Sequence, residues 1–133
     1  MQEESLTLAP SLDLSPTISV LQSLGIATLI RGDVDRAQSI QADGVHLSAS
    51  AARAEEFPNL RRRVGQNFIL GGEAGGSRHT AMCLGENGAD YIAFGKKTEP
   101  YDTGKALEEQ QELLSWWSQL FEIPSVAFDV TTP

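Results

Sequence analysis

Two phrases of this chain nearly repeat one another: Gln41-Ala42-Asp43-Gly44-Val45-His46-Leu47 and Gly88-Ala89-Asp90-Tyr91-Ile92-Ala93-Phe94-Gly95. Each follows a polar stretch with helical character and opens a short apolar run. A small residue lets the helix end and turn, the Asp is a polar hinge at the surface, and Val-x-Leu or Ile-x-Phe enters a core as a strand. That joint is the helix-to-strand return of a βα unit. A chain that uses it twice reads as layered α/β.

The remaining residues fit the alternation. Ser15-Pro16 starts a helix that runs to about Leu24 and stops at Gly25. Residues 26–30 read as a buried strand. Asp33 caps a helix from Val34 to about Gln41, and Gly44 to Leu47 is the second strand. Ser48 or Ser50 starts a short helix through Glu56 that Pro58 breaks, with a second turn over residues 60–65. Asn67 to Leu70 is the third strand, and it meets a glycine-rich loop from Gly71 to Gly76. Ser77 caps a helix to about Asn87, stopped by Gly88. Tyr91 to Phe94 is the fourth strand, and residues 95–104 are a polar loop. Lys105 to Glu122 is the longest helix, with Leu107, Leu114, Trp117 and Phe121 on one face. Adjacent Trp116 and Trp117 point apart, one to the core and one to a rim or subunit contact. Ser125 to Val130 is the fifth strand. Residues 1–14 read as an N-terminal arm or loop and residues 15–133 as a single α/β domain, a size that suits one core.

Five apolar strands separated by helices imply a parallel sheet with right-handed crossovers. An open doubly wound sheet and part of a (β/α)8 barrel both satisfy this. In either, chemistry belongs at the C-terminal strand ends: Arg31-Gly32-Asp33, Ser48-Ala49-Ser50, Gly71 to Ser77, Gly95-Lys96-Lys97 and Asp129-Val130-Thr131.

At those ends, Gly75, Gly76 and Ser77 are candidate phosphate ligands, since backbone amides at a glycine turn and a helix start attract anions. No Lys-Ser/Thr follows the glycines, so this is not a Walker loop. Lys96, Lys97 and Arg31 are the candidate phosphate-binding cations. Asp33 is the metal-ligand candidate, joined by Asp129 only if the strand ends converge. His46, inside a strand, reads as structural, and His79 beside Arg78 as solvent-facing.

A net charge of −8 and a pI of about 4.6 exclude a nucleic-acid partner, because phosphate binding runs on clustered Lys and Arg. The short run Arg61-Arg62-Arg63 reads as a solvated helix end. Cys83 is the single cysteine, which leaves no intrachain disulfide or Cys-based zinc site and fits a reducing cytoplasm. It reads as a packed thiol. The start Met1-Gln2-Glu3-Glu4 is acidic where a secretory leader would be basic. No apolar run approaches the ~18 residues of a membrane span.

The order of these motifs resembles a known family. Leu29-Ile30-Arg31-Gly32-Asp33-Val34-Asp35-Arg36-Ala37, then Ala42 to Leu47, Ile69-Leu70-Gly71-Gly72 and Gly88 to Gly95 are similar to thiamine-phosphate synthase and its close paralogues. Trp116-Trp117 through Phe121-Glu122-Ile123-Pro124 resembles a divergent bacterial branch of that group. The resemblance covers roughly residues 20–130. It implies a (β/α)8 barrel of about 200 residues, with the five strands here matching the third to seventh. This chain is then a partial barrel of about five parallel strands with flanking helices. The implied reaction joins a pyrimidine pyrophosphate to a thiazole phosphate and releases pyrophosphate, with magnesium as cofactor when the protein is catalytic.

The resemblance also defines departures. Arg31-Gly32 stands where an Asn-Asp pair is implied, whose Asp holds magnesium. Ser48-Ala49-Ser50-Ala51 lacks the second metal carboxylate. Glu73 falls near an implied pyrophosphate-contacting Ser, and Lys96-Lys97-Thr98-Glu99-Pro100 replaces a Pro-Thr and Lys loop. The resulting expectation is a synthase-like protein of thiamine biosynthesis, weak or inactive, and if an enzyme then a transferase of that type. The alternatives are an active synthase using Asp33 or Glu73, and a non-catalytic phosphate-ligand binding or scaffold protein. A small phosphorylated ligand and a homo-oligomer covering the open sheet edges are the expected partners. No nucleic acid or membrane is expected.

Overall fold

The computed structural model describes residues 13–48, 54–95 and 103–127. In chain order the elements are α1 (Ser15–Ser23), β1 (Leu29–Arg31), α2 (Val34–Ser39), β2 (Gly44–Leu47), α3 (Phe57–Val64), β3 (Ile69–Glu73), α4 (Arg78–Glu86), β4 (Tyr91–Phe94), α5 (Thr103–Leu120) and β5 (Ser125–Ala127). The five strands form one parallel sheet in the order β1-β2-β3-β4-β5. That order separates the two architectures left open above. A doubly wound sheet reverses its winding at a switch point, which breaks the order. Consecutive order with right-handed crossovers puts every connecting helix on one face, the winding of a barrel arc.

The strands alternate accordingly. Ile30, Val45, Leu47, Leu70, Ile92 and Phe94 pack with Ala37, Phe57, Leu84, Leu113 and Trp117 from the helices. The other parity puts Arg31, His46, Gly71 and Tyr91 side by side, one row across four strands on the face away from the helices.

The two repeated phrases have one physical job. Ala42 N–H donates to Ala37 O at 2.9 Å and Gln41 N–H to Gln38 O at 3.1 Å. Ala89 N–H donates to Leu84 O at 3.0 Å and Gly88 N–H to Gly85 O at 3.3 Å. This is the paired closure of a Schellman motif, with Gln41 (φ 60°) and Gly88 (φ 97°) in the left-handed region. Each Asp then clamps the neighbouring strand. Asp43 N–H donates to Thr28 O at 2.8 Å and Asp90 N–H to Leu70 O at 2.8 Å. In return, Asp43 Oδ2 accepts from Thr28 N at 2.7 Å and Asp90 Oδ2 from Leu70 N at 2.8 Å. The Asp is therefore a cross-strand fastener as well as a surface hinge.

Several boundaries differ from expectation. β1 begins at Leu29, because Ile26 N–H is used to close α1 on Leu21 O at 3.0 Å and Ile26 is exposed. β3 continues through Gly71, Gly72 and Glu73, which were expected as loop. It lies between two paired strands, and the ladder holds the glycines extended. These two glycines are demanded by close approach: a Cβ at Gly71 would lie 2.0 Å from Tyr91 Cζ, and one at Gly72 would lie 2.7 Å from Leu84 Cδ2. Pro58 opens α3 instead of breaking a helix, since a first-turn residue needs no N–H bond. The expected helix from Ser48 or Ser50 falls largely in residues 49–53, outside the described residues, as do residues 1–12 of the arm and residues 128–133. The buried face of α5 is Gln110, Leu113 and Trp117, while Leu107 and Leu114 are half-buried. Trp116 is half-buried, with the Arg78 guanidinium 4.8 Å from its ring centroid.

Arg61 is no solvated helix end. Its side chain is 15% exposed. It donates to Phe68 O at 2.6 Å, Gly65 O at 3.1 Å, Gly88 O at 3.2 Å and Asp90 Oδ2 at 2.5 Å. The guanidinium thus gathers carbonyls from the end of α3 and the joint before β4. Arg62 bonds Asn59 and Arg63 pairs with Asp35.

Candidate functional site

The polar row on the face away from the helices ends in charge. Arg31 and Glu73 are the last residues of β1 and β3, with His46 of β2 between them. His46 Nδ1 is 2.7 Å from Tyr91 Oη, and His46 Nε2 is 3.4 Å from Glu73 Oε2. Arg31 Nη2 lies 3.6 Å from the same Glu73 oxygen. His46 bridges the two groups: its Nε2–H donates to the Glu73 carboxylate, and its Nδ1 pairs with the Tyr91 hydroxyl. Arg31 and His46 each direct a donor at the same Glu73 oxygen. Tyr91 holds this arrangement because its ring lies over Gly71, where no side chain intervenes, and stacks on His46 with centroids 5.8 Å apart.

The His46 hydrogen bond holds the Glu73 carboxyl below its ordinary range. Partial burial opposes this, and the charges of His46 and Arg31 add to it. A lowered native pKa stabilises the fold fully above the unfolded glutamate value of about 4.3. That contribution is lost as pH falls through the native value. The stability gap between wild type and Glu73→Gln is therefore expected to shrink as pH falls from about 5 to below about 4. Denaturant unfolding across that range checks this; a gap that stays constant into acid contradicts it.

The other candidates lie elsewhere on the same edge. Asp33 is exposed and caps α2, its Oδ1 accepting from Asp35 N at 2.8 Å. Gly75 (φ 57°) and Gly76 form the turn after β3, and Gly75 O accepts from Gly95 N at 3.1 Å. Ser77 Oγ accepts from Thr80 N at 3.1 Å, capping α4. Gly76, Arg78 and Gly95 line a cavity of about 260 Å³ with Glu109, Gln110 and Glu112 of α5. Lys96, Lys97 and Asp129 lie outside the described residues. The structure thus brings Arg31 to His46 and Glu73, and groups Gly76 with Arg78 in a separate hollow. His79 is exposed, and Cys83 Sγ lies 3.6 Å from its Nε2. Tyr91 was not singled out in the sequence. The available signal was parity: once Gly44–Leu47 and Tyr91–Phe94 are strands, His46 and Tyr91 share a face.

Magnesium takes near-octahedral oxygen ligands, commonly including carboxylates. Among the described residues, the carboxylates at strand ends are Asp33 and Glu73. Glu73 is turned onto Arg31 and His46, so a cation already faces its oxygen. No three His, Cys, Asp or Glu side chains gather into a metal-holding group among the described residues. These residues do not fit the magnesium that the resemblance implies. No described helix is long and apolar enough to cross a membrane.

Comparison with known proteins agrees with the motif order. The family model "Thiamine monophosphate synthase" matches residues 14–129. A thiamine-phosphate synthase of Erythrobacter litoralis (strain HTCC2594) is 38% identical over 120 residues, covering 89% of this chain and 55% of that protein. One from Rhodospirillum centenum (strain ATCC 51521 / SW) is 34% identical over 108 residues, covering 81% and 51%. One from Hyphomonas neptunium (strain ATCC 15444) is 33% identical over 111 residues, covering 82% and 48%. The chain spans about half the length of these curated relatives.

Proposed function

The chain belongs to the thiamine monophosphate synthase family, and from that premise we propose that this five-strand unit is weak or inactive in the synthase reaction. The observation that carries the proposal is the Arg31–Glu73–His46 contact at the strand ends. Pyrophosphate departure needs cations on the leaving group and carboxylates on a metal. Here the carboxylate and the cation face each other, and Arg31-Gly32 and the carboxylate-free run Ser48-Ala49-Ser50-Ala51 stand where the resemblance implies the metal-binding residues. An assay with pyrimidine pyrophosphate, thiazole phosphate and magnesium tests this. Formation of thiamine phosphate at background level is expected. Turnover on the order of 1 per second or more would sink the proposal, and loss of that turnover in Asp33→Ala would instead favour an active enzyme with rearranged ligands.

A second reading, ligand binding without turnover, is favoured by the cavity beside Gly76, Arg78 and Gly95. In this reading Gly75, Gly76 and Ser77 hold a phosphate-bearing ligand there, with Lys96 and Lys97 as further cations. A rise in melting temperature with thiazole phosphate alone supports it, and no rise counts against it. Either reading takes the protein as cytoplasmic, in keeping with its single cysteine.

A further inference from the structure

We propose that the hollow between α4 and α5 takes a ligand with a cationic end, an aminoalkyl phosphate in chemical class, whose ammonium meets Glu109 and Glu112 while its anion meets Arg78. The inference rests on the ligand-binding reading above for the phosphate and adds the cationic group that must accompany it. The probes that test it let either fail separately.

The hollow, of about 260 Å³, carries both signs of charge: Arg78 from the start of α4, and Glu109 and Glu112 from α5. Opposite charges lining one small space ordinarily pair. Among the described residues these do not: Arg78 makes no salt bridge to either glutamate, and neither glutamate has a hydrogen bond or ion pair. Both sides are held where they are. The Arg78 guanidinium lies 4.8 Å from the Trp116 ring centroid, a cation–π contact that directs it. The glutamates ride on a helix anchored by buried Gln110, Leu113 and Trp117, and Gln110 Nε2 donates to Phe94 O at 2.7 Å. The lining therefore sums to one cation and two carboxylates. A phosphomonoester carries about −1.5 to −2 near neutral pH. Alone, it would gain Arg78 and meet two like charges. An ammonium on the same molecule turns both carboxylates into acceptors of charge-assisted bonds. Ala106 and Leu113 give the space an apolar wall for a short alkyl link. The volume is below the ~300–1,000 Å³ of drug-sized pockets, so the ligand is small.

Calorimetric titration with O-phosphoethanolamine and with ethyl phosphate, which lacks the ammonium, tests this on wild type, Glu109→Gln/Glu112→Gln and Arg78→Gln. Wild type is expected to bind phosphoethanolamine at least roughly tenfold tighter than ethyl phosphate. In Glu109→Gln/Glu112→Gln the two probes are expected to bind alike, with ethyl phosphate no weaker than in wild type. Arg78→Gln is expected to weaken both. Equal binding of the two probes by wild type overturns the cationic end and leaves the phosphate reading standing. So does a preference for phosphoethanolamine that survives in Glu109→Gln/Glu112→Gln. No saturable binding of either probe up to about 10 mM overturns both. If the variants unfold, the side-chain carboxyl carbons of Glu109 and Glu112 in wild type decide by NMR. Saturable movement with phosphoethanolamine and none with ethyl phosphate supports the inference, and any other pattern overturns it.

Discussion

Trp117→Ala is expected to cost about 3–5 kcal/mol of folding stability. Trp117 is fully buried. Its ring stacks on Phe121 with centroids 4.1 Å apart and meets Phe94 of β4 edge-on at 6.1 Å. Its Nε1–H donates to Ile123 O at 2.7 Å, two residues before β5 begins. Truncation therefore opens a cavity between α5 and β4 and also orphans the carbonyl that ties β5 to α5. A domain of this size has ~5–15 kcal/mol in total, so the variant is expected to be close to unfolding. The adjacent control is Trp116→Ala, which loses a half-buried ring and its contact with Arg78 at 4.8 Å. It is expected to cost about 1 kcal/mol. Urea unfolding followed by circular dichroism measures both. A larger loss at Trp116 contradicts the packing described.

Asp90→Ala is expected to cost about 2–3 kcal/mol, most of it through partners left behind. Its Oδ2 accepts from the amide of Leu70, a fully buried residue, at 2.8 Å and from Arg61 Nη2 at 2.5 Å. Asp90 itself is 42% exposed, so water can reach part of the gap and the figure stays below that of a buried pair. Asp43→Ala removes the equivalent clamp on Thr28 at 2.7 Å. Among the described residues its other side-chain bond is from Gln22 at 3.3 Å and no cation pairs with it, and a smaller loss of about 1–2 kcal/mol is expected. Asp90→Asn separates the contributions, because its amide oxygen still accepts from Leu70 while the charge toward Arg61 is gone. Equal losses for Asp43→Ala and Asp90→Ala would count against the role given to Arg61.

These clamps explain why much of the fold was legible. Ala42-Asp43 and Ala89-Asp90 each close a helix and fasten a strand, so one local phrase fixes two elements and their pairing. The strands Gly44–Leu47 and Tyr91–Phe94 that follow have their expected bounds. Ser77 and Asp33 cap helices as their side chains predict. Legibility fails where tertiary pairing outweighs local preference. Gly71-Gly72 reads as loop by propensity, yet neighbours on both edges hold it in β3. Ile26 reads as strand by hydrophobicity, yet α1 takes its amide.

The candidate site was legible in parts and not in assembly. Arg31, Asp33 and Glu73 were each visible at strand ends. Their relations were not, because register decides which side chains share a face. Only the pairing of Arg31 with His46, His46 with Gly71 and Gly71 with Tyr91 turns four scattered residues into one row. Lys96 and Lys97, outside the described residues, remain ligand proposals on sequence grounds alone.

Everything proposed for the strand ends depends on the Glu73 carboxylate lying against His46 and Arg31. Carbon-detected NMR of its side-chain carboxyl, followed through acid, reads that environment at the atom concerned. The geometry predicts a midpoint below the ordinary glutamate value of about 4.3, with His46 ring signals shifting in the same step. A Glu73 midpoint at or above that value, with His46 unmoved, would mean that the carboxylate is free of both partners, and the contact that carries the proposed loss of activity would be contradicted.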